Sequence, residues 1–492
     1  MNSPTRHHRN WIPGICGRAV SAGALALALL LGLAARSVQA QTFTTFDVSG
    51  AGTGALQGTF PISINTAGTI AGTYLVAGPA SHGFVRAANG TITDIDITGA
   101  GTGKNQGTIP VSINTAGTIT GMSADASNVY HGFVRSSKGT ITDIEVTGAG
   151  TGGHQGTMPM SINTAGAITG MYKDTNSVYH GFVRATNGTI TPFDAPGAGT
   201  AYSQGTMPMS INTAGIIVGM YADASHVYHC FERAADGSIS DINVTGATGT
   251  ACVSIDGAGV ITGAYLDASN VFHGFVRAAN GTISSFDAPG AASGPGKIQG
   301  TIPLSINTAG VIGGSYTDSS YVAHGFVRAA NGTITDFDVP GASSSALLTL
   351  LPLATKGPPD QGTAGFSINA GGVITGTYFD TSAVAHGFVR TPPAATTTTL
   401  TSSPNPSTSG QAVTFTARVT SKAGTPPDGE TVSFMEGKTV LGTGTLSSGS
   451  TTFTTSTLKV GTDTITAVYG GDPKFASSKS KALKQVVNAA AE

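Results

Sequence analysis

The string His-Gly-Phe-Val-Arg begins at His82, His131, His180, His273, His324 and His386, and His229 opens the variant His-Cys-Phe-Glu-Arg. The steps between these histidines are 49, 49, 49, 44, 51 and 62 residues. A recurrence of this kind confines the chain to repeat architectures. Each repeat carries four β-rich runs separated by Gly, Asn and Asp. In the third they are Met158 to Gly166, Ala167 to Asp174, Ser177 to Ala185 and Gly188 to Pro196. Four short strands per repeat describe one blade of a β-propeller.

The last repeat stops after Arg390 without its fourth run. The missing piece stands at the other end, where Thr42 to Val48 reads TFTTFDV before a Gly-Ala-Gly-Thr-Gly segment. The expected fold is therefore an all-β, seven-bladed β-propeller over residues 41–390. An N-terminal strand closes its last blade and removes two costly sheet edges. An open solenoid of seven units is the alternative, but solenoid ends carry caps rather than complementary halves of one blade.

Residues 1–40 read as a secretory signal peptide: Arg6, Arg9 and Arg18, an apolar run from Val20 to Ala35, and small residues before Gln41. That run is short for a membrane span and no second one follows, so membrane insertion is not expected. Losing the leader removes four arginines and no acid, taking the formal charge from −2 to −6. This disfavours nucleic acid as a partner. Gly makes up 70 of 492 residues and only 10% are charged, yet the alternating apolar pattern argues for packed sheet over disorder. Cys230 and Cys252 remain after cleavage. An exported chain permits a disulfide, but the two lie on strands not expected to be neighbours, so free buried thiols are expected.

The repeat ends at Arg390. Residues 391–399 (TPPAATTTT) read as a stiff linker. Strand-like runs at Ala412 to Thr420, Glu430 to Met435, Ser450 to Thr455, Asp463 to Tyr469 and Ala482 to Val487 suggest a small β-sandwich over 400–488. This segment resembles bacterial Ig-like repeat domains through Pro404-Asn405-Pro406, Val413-Thr414-Phe415, Val432-Ser433-Phe434, Gly461, Ile465 to Tyr469, Gly471-Asp472 and Phe475. The repeats resemble the bacterial extracellular HAF repeat family through Ile162-Asn163, Gly166, Gly170 and His180-Gly181-Phe182, with Gly replacing that family's Ala. The resemblance implies secretion more strongly than any activity.

Seven of the nine histidines outside the leader occupy one repeated position. Seven copies do not suit a single catalytic site, so a buried structural hydrogen-bonder is expected at each. An aspartate stands six residues before all but the first: Asp125, Asp174, Asp223, Asp267, Asp318 and Asp380. These sit where Asp favours turn bonds. The Gly-rich run at Gly148 to Gly152 precedes a strand, not a helix, and so lacks a phosphate-binding helix end. Asn89, Asn187, Asn280 and Asn331 match a glycosylation sequon but also suit tight hairpins.

The two longer loops of each repeat should share one face, the expected place for function. There Gln57, Gln106, Gln155, Gln204, Gln299 and Gln361 recur. Each either rings the channel mouth as a ligand contact or braces its own loop. An insertion from Ser343 to Gly362 adds Leu347, Leu350 and Leu351 as a contact surface or channel plug. Residues that break the symmetry (His154, His226, Lys173, Glu232) form no recognisable catalytic set. No cofactor or metal is expected. The sequence points to an exported, monomeric, non-catalytic binding or adhesion protein whose ligand is a glycan or an envelope protein. A propeller-type lyase or glycosidase and a structural envelope protein are the alternatives.

Overall fold

The computed structural model describes residues 41–78, 80–294, 299–343, 362–472 and 474–490. The expected leader, and the positions Leu347, Leu350, Leu351 and Gln361, lie outside them. The chain is all-β. Strands from Thr42–Phe46 to Ala385–Thr391 form one continuous 28-stranded array, grouped as four-stranded antiparallel units in a propeller-like ring.

The third unit shows why each run folds as it does. Its inner strand is Gly156–Ile162, followed by Ile168–Lys173, Tyr179–Arg184 and the outer strand Ile190–Phe193. Pro159 has no N–H to donate, and the ladder shifts register between Pro159 and Ser161. Phe182 of His-Gly-Phe is fully buried and lies over Gly170 of the second strand, where an added Cβ would meet its ring at 3.0 Å. All seven phenylalanines at this position are fully buried. Truncating one to Ala costs about 3–5 kcal/mol.

Hydrogen bonds between units run round the ring. Ser63 Oγ accepts from Ile113 N (3.3 Å), Ser112 from Ile162, Ser161 from Ile211, Ser210 from Ile255, Ser254 from Ile306, Ser305 from Ile368, and Ser367 from Ile64. The series returns to its start. The outer strand of the last unit is Thr42–Phe46, antiparallel to Ala385–Thr391 with Phe46 opposite Gly387. His386 Nδ1 pairs with Asp47 at 2.9 Å, and Arg390 Nε donates to Gln41 Oε1 at 2.6 Å.

The junction between the fourth and fifth units differs from the rest. Elsewhere the third strand bridges in parallel to the next inner strand, as Ser81 to Gly107 and Tyr179 to Gly205. No such bridge joins Tyr228 to Gly249 among the described residues. The loop here is five residues shorter, from the 44-residue step against 49, and it carries no Gln. Cys230 and Cys252 form a disulfide with Cα atoms 5.2 Å apart. This corrects the expectation of free thiols. The two strands share no ladder, but they face one another across the junction, and a disulfide needs only that. At five of the other six junctions the same place holds a Gly facing a Pro, as where a Cβ on Gly83 would reach Pro110 Cγ at 2.8 Å; at the sixth, Gly365 replaces the Pro. Glu232, which stands where other units have Val, pairs with Arg277 at 3.0 Å across the same junction.

The C-terminal module has two sheets. Thr396–Ser403, Val413–Ser421 and Ser450–Thr455 form one, and the other is built on Thr431–Glu436, Thr439–Thr445, Gly461–Tyr469 and Leu483–Asn488. Phe415, Phe434, Phe475, Ile465 and Tyr469 fill the core between them. Thr396 to Thr399, read as linker, already pair with Val413–Ser421. Ala394 is held on both sides by Lys474 O and Ala476 N. Thr439–Thr445 escaped the sequence reading because TVLGTGT is Gly- and Thr-rich and only half buried.

Two outcomes are expected. Deleting residues 41–47 should lower the melting temperature and promote association through the opened edge of Ala385–Thr391. An unchanged melt with a monomeric elution profile contradicts the closure. Reduction, or the double change Cys230→Ser and Cys252→Ser, should cost about 3 kcal/mol in denaturant unfolding, from release of the loop constraint. Cys230→Gly with Cys252→Pro should recover part of it. An unchanged unfolding midpoint on reduction rules out a stabilising role for the bond.

Candidate functional site

The inner strands surround a channel whose two ends differ. At the narrow end, a cavity of about 230 Å³ is lined by the Ile-Asn-Thr turns. Asn65 Nδ2 donates to Asn114 O at 3.1 Å, and Asn114, Asn163, Asn212, Asn307 and Asn369 continue the pattern. Asp256 interrupts it: its carboxylate accepts from Ala258 N and Val260 N as the Asn Oδ1 atoms do in their own turns, but it has no N–H to pass on to the next unit. These amides are spent on the ring itself.

The loop-bearing end opens into a cavity of about 970 Å³. It lies to one side, and the repeat columns show why. The fourth residue of the second strand is Met122, Met171 and Met220 in three consecutive units, but Ala264, Ser315, Thr377 and Thr73 in the others. The residue before the repeated histidine is Tyr130, Tyr179 and Tyr228 in the same three units, then Phe272, Ala323, Ala385 and Ser81. Met158, Met171, Met207 and Met220 pack with these tyrosines and fill one half of the channel. Small residues leave the other half open.

Phe60, Ile62, Leu75, Ile109, Leu304 and Phe366 supply apolar walls, and Leu56, Lys104, Asn105, Tyr130 and His154 stand at the loop-side rim. Leu56, Asn105 and His154 occupy the same repeat position, just before the recurrent Gln, and all have φ near +60°. That left-handed conformation is costly for a Leu. It turns this variable position to the mouth. His154 was marked in sequence only as a break in symmetry, and Leu56 and Asn105 were missed. Their signal was a variable residue beside an invariant Gln.

The recurrent Gln side chains brace loops. Gln106 Oε1 accepts from Gly103 N at 2.6 Å while its Nε2 donates to Ala126 O at 3.0 Å. Gln155 and Gln204 repeat both bonds, and Gln57 Oε1 accepts from Gly54 N. Gln299 is buried at the start of its inner strand. Of the five described, Gln57 and Gln106 border the cavity. Among the symmetry breakers, Lys173 Nζ lies 4.6 Å from the centre of the Tyr179 ring, and His226 approaches Gln204 at 3.4 Å.

The repeated histidines are half-buried rather than buried, with His131 42% exposed. Each is stapled near the outer strand. His180 Nδ1 meets Asp194 at 3.0 Å, its Nε2 faces Asp174 at 3.8 Å, and its ring stacks on Tyr172 at 4.9 Å. His131, His273, His324 and His386 likewise stand between two acids. His82 has only Asp96, and His229 only Asp223. In the five that stand between two acids, both ring nitrogens face a carboxylate, which leaves neither facing a metal or a substrate. The acid fourteen residues after each histidine was missed in sequence although it recurs as Asp96, Glu145, Asp194, Asp287 and Asp338, with Asn243 in the fourth unit.

Burial opposes the charge on His131, but hydrogen bonds to Glu145 and Asp125 override it and raise its pKa. The Asp338 hydrogen bond chiefly raises that of His324, against burial. For Asp223 the Val227 N–H, then His229, hold the carboxyl low. The histidine contribution to stability is thus fully present below the ordinary imidazole pKa and fades as pH rises through the raised values. The aspartate contribution is present above the ordinary carboxyl range and is lost on acidification through the lowered values. By NMR, His131 should titrate above an ordinary histidine, and Glu145→Gln with Asp125→Asn should bring it back down. A midpoint at or below the ordinary value in the unmodified protein contradicts the ion-pair assignment.

Among the described residues no group of three or more His, Cys, Asp or Glu is placed to hold a metal, and no helix is long and apolar enough to cross a membrane. Residues 400–488 match the family described as Bacterial Ig-like domain (group 3). No curated protein matches the chain. Among solved structures, it is similar to a fungal lectin from Aleuria aurantia, described as a six-bladed β-propeller with a fucose recognition mode. Identity is 11% and the TM-score 0.34, over 60% of this chain and 96% of that one. It is also similar to the extracellular domain of a hybrid two component system from B. thetaiotaomicron, at 9% identity and TM-score 0.36 over 92% of this chain and 59% of that one. A puromycin hydrolase matches at 12% identity and TM-score 0.39, over 73% of this chain and 58% of its own. Likenesses this distant assign neither ligand nor activity.

Proposed function

We propose that the chain is an exported, non-catalytic binding protein. Residues 41–390 form a seven-bladed β-propeller, and the Ig-like domain at 400–488 acts as a spacer that presents it. The blade count rests on 28 strands grouped in fours and on the serine series that returns to its start. Export rests on the basic and apolar N-terminal pattern, the disulfide, the bacterial Ig-like domain and the resemblance of the repeats to HAF repeats.

One observation carries the binding role: the symmetry of the channel is broken to leave a cavity of about 970 Å³ at the loop-bearing mouth. This volume falls in the range of small-molecule sites, roughly 300–1,000 Å³. Among the described residues no carboxylate and one imidazole, His154, border it, and the reading calls on no acid–base chemistry there.

A ligand found by native mass spectrometry of the secreted protein should lose binding on Leu75→Trp, which fills the cavity. It should keep binding with Thr66→Lys and Thr164→Lys at the narrow end. The opposite pattern places recognition on the tight-turn face and ends this proposal.

A further inference from the structure

We propose that the cavity binds a free long-chain carboxylate, with the tail in the channel and the anionic head at the rim beside Lys104 and His154. This rests on the cavity being the ligand site. Three observations lead to the class. First, the walls are hydrocarbon: Phe60, Ile62, Leu75, Ile109, Leu304 and Phe366.

Second, three of the polar groups in the wall, Thr73, Ser81 and Gln106, already spend hydrogens on the protein itself. Thr73 Oγ1 donates to His82 O at 2.9 Å, Ser81 Oγ donates to Gln106 O at 2.9 Å, and both ends of the Gln106 amide are used. A sugar buried here would have more hydroxyls than the wall has free partners to meet, and each unmet group costs binding. An alkyl chain demands nothing from these groups. This argues against a glycan inside the cavity, although the outer loop surface is unaffected by it.

Third, the charge is one-sided. Lys104 and His154 are exposed at the rim, while among the described residues no Asp or Glu lines the cavity, in a chain whose formal charge is negative. The His154 ring lies 6.2 Å from that of Tyr130, which places a phenol at the boundary between wall and rim. Burial raises the Tyr130 pKa, so its hydroxyl keeps the proton it can donate to a carboxylate.

The test is calorimetric titration of the secreted full chain with palmitate, methyl palmitate and hexadecylamine, each below its aggregation threshold. Palmitate should bind one to one and at least about fivefold tighter than the ester, the scale of one exposed charge pair. The amine should bind more weakly than the ester. Lys104→Ala should cost palmitate about fivefold and leave the ester unchanged, and Leu75→Trp should remove both. Lys104 is exposed, so its change leaves the fold intact, and an unaltered melt confirms this. Equal binding of acid, ester and amine, or a palmitate affinity indifferent to Lys104, overturns the carboxylate assignment. If none of the three binds while a glycan or peptide does and is blocked by Leu75→Trp, the ligand class fails and the binding role stands. If Leu75→Trp changes no ligand at all, both fail.

Discussion

The molecule depends on one constraint: no unit can satisfy its own inner strand. Each inner strand leaves an Ile N–H that the serine of the preceding unit accepts, as Ser112 Oγ does from Ile162 N. Each Asn amide, apart from the interruption at Asp256, completes its bonding on the carbonyl of the next unit. Buried backbone groups must be paired, so the bonds have to form a circle. An unfinished circle would expose the last unit on both its edge and its inner strand. The borrowed strand at Thr42–Phe46 follows from this. It brings Asp47 to His386, a contact that in other units comes from the chain just downstream, and adds Gln41 to Arg390, a bond that the equivalent Nε atoms of Arg86, Arg233 and Arg328 lack. It also brings Phe43 against Phe337 and Phe388.

The same repetition that builds the ring limits where function can sit. A residue bound into every unit, such as the histidine between two carboxylates, is consumed by structure. Function is left to the columns that vary while their neighbours stay fixed. Two of these columns, the fourth position of the second strand and the position before the histidine, change together in six of the seven units, Ala264 with Phe272 being the exception. They divide the channel into a filled half and an open half. A third, occupied by Leu56, Asn105 and His154, sets the character of the rim.

Much of this was legible in the sequence. The period, the four runs per repeat and the misplaced strand at Thr42 fixed the ring, because β-pairing imposes local patterns. The loop-bearing face followed from loop lengths alone. The second acid of each histidine was equally periodic, but it lies one strand away, and only the register of the third and outer strands shows that fourteen residues bring the two together. The cavity was not legible, since the sequence does not say that Thr73, Ser81 and Ile109 meet in space. The disulfide was misread for the same reason: pairing within a sheet predicts ladder neighbours, not the facing side chains of adjoining units.

The fourth and fifth units show these physical rules operating together. A shortened loop removes the parallel bridge and the Gln brace, and Asn243 removes one of the acids that hold a histidine. In the same stretch Gly and Pro become Cys230 and Cys252, and Val becomes Glu232 opposite Arg277. These changes have one sense: non-covalent ties lost at a single junction are replaced by a covalent bond and an ion pair at that junction. A ring is as strong as its weakest seam, so the bond is placed where opening would begin. Such a bond persists only in oxidising surroundings.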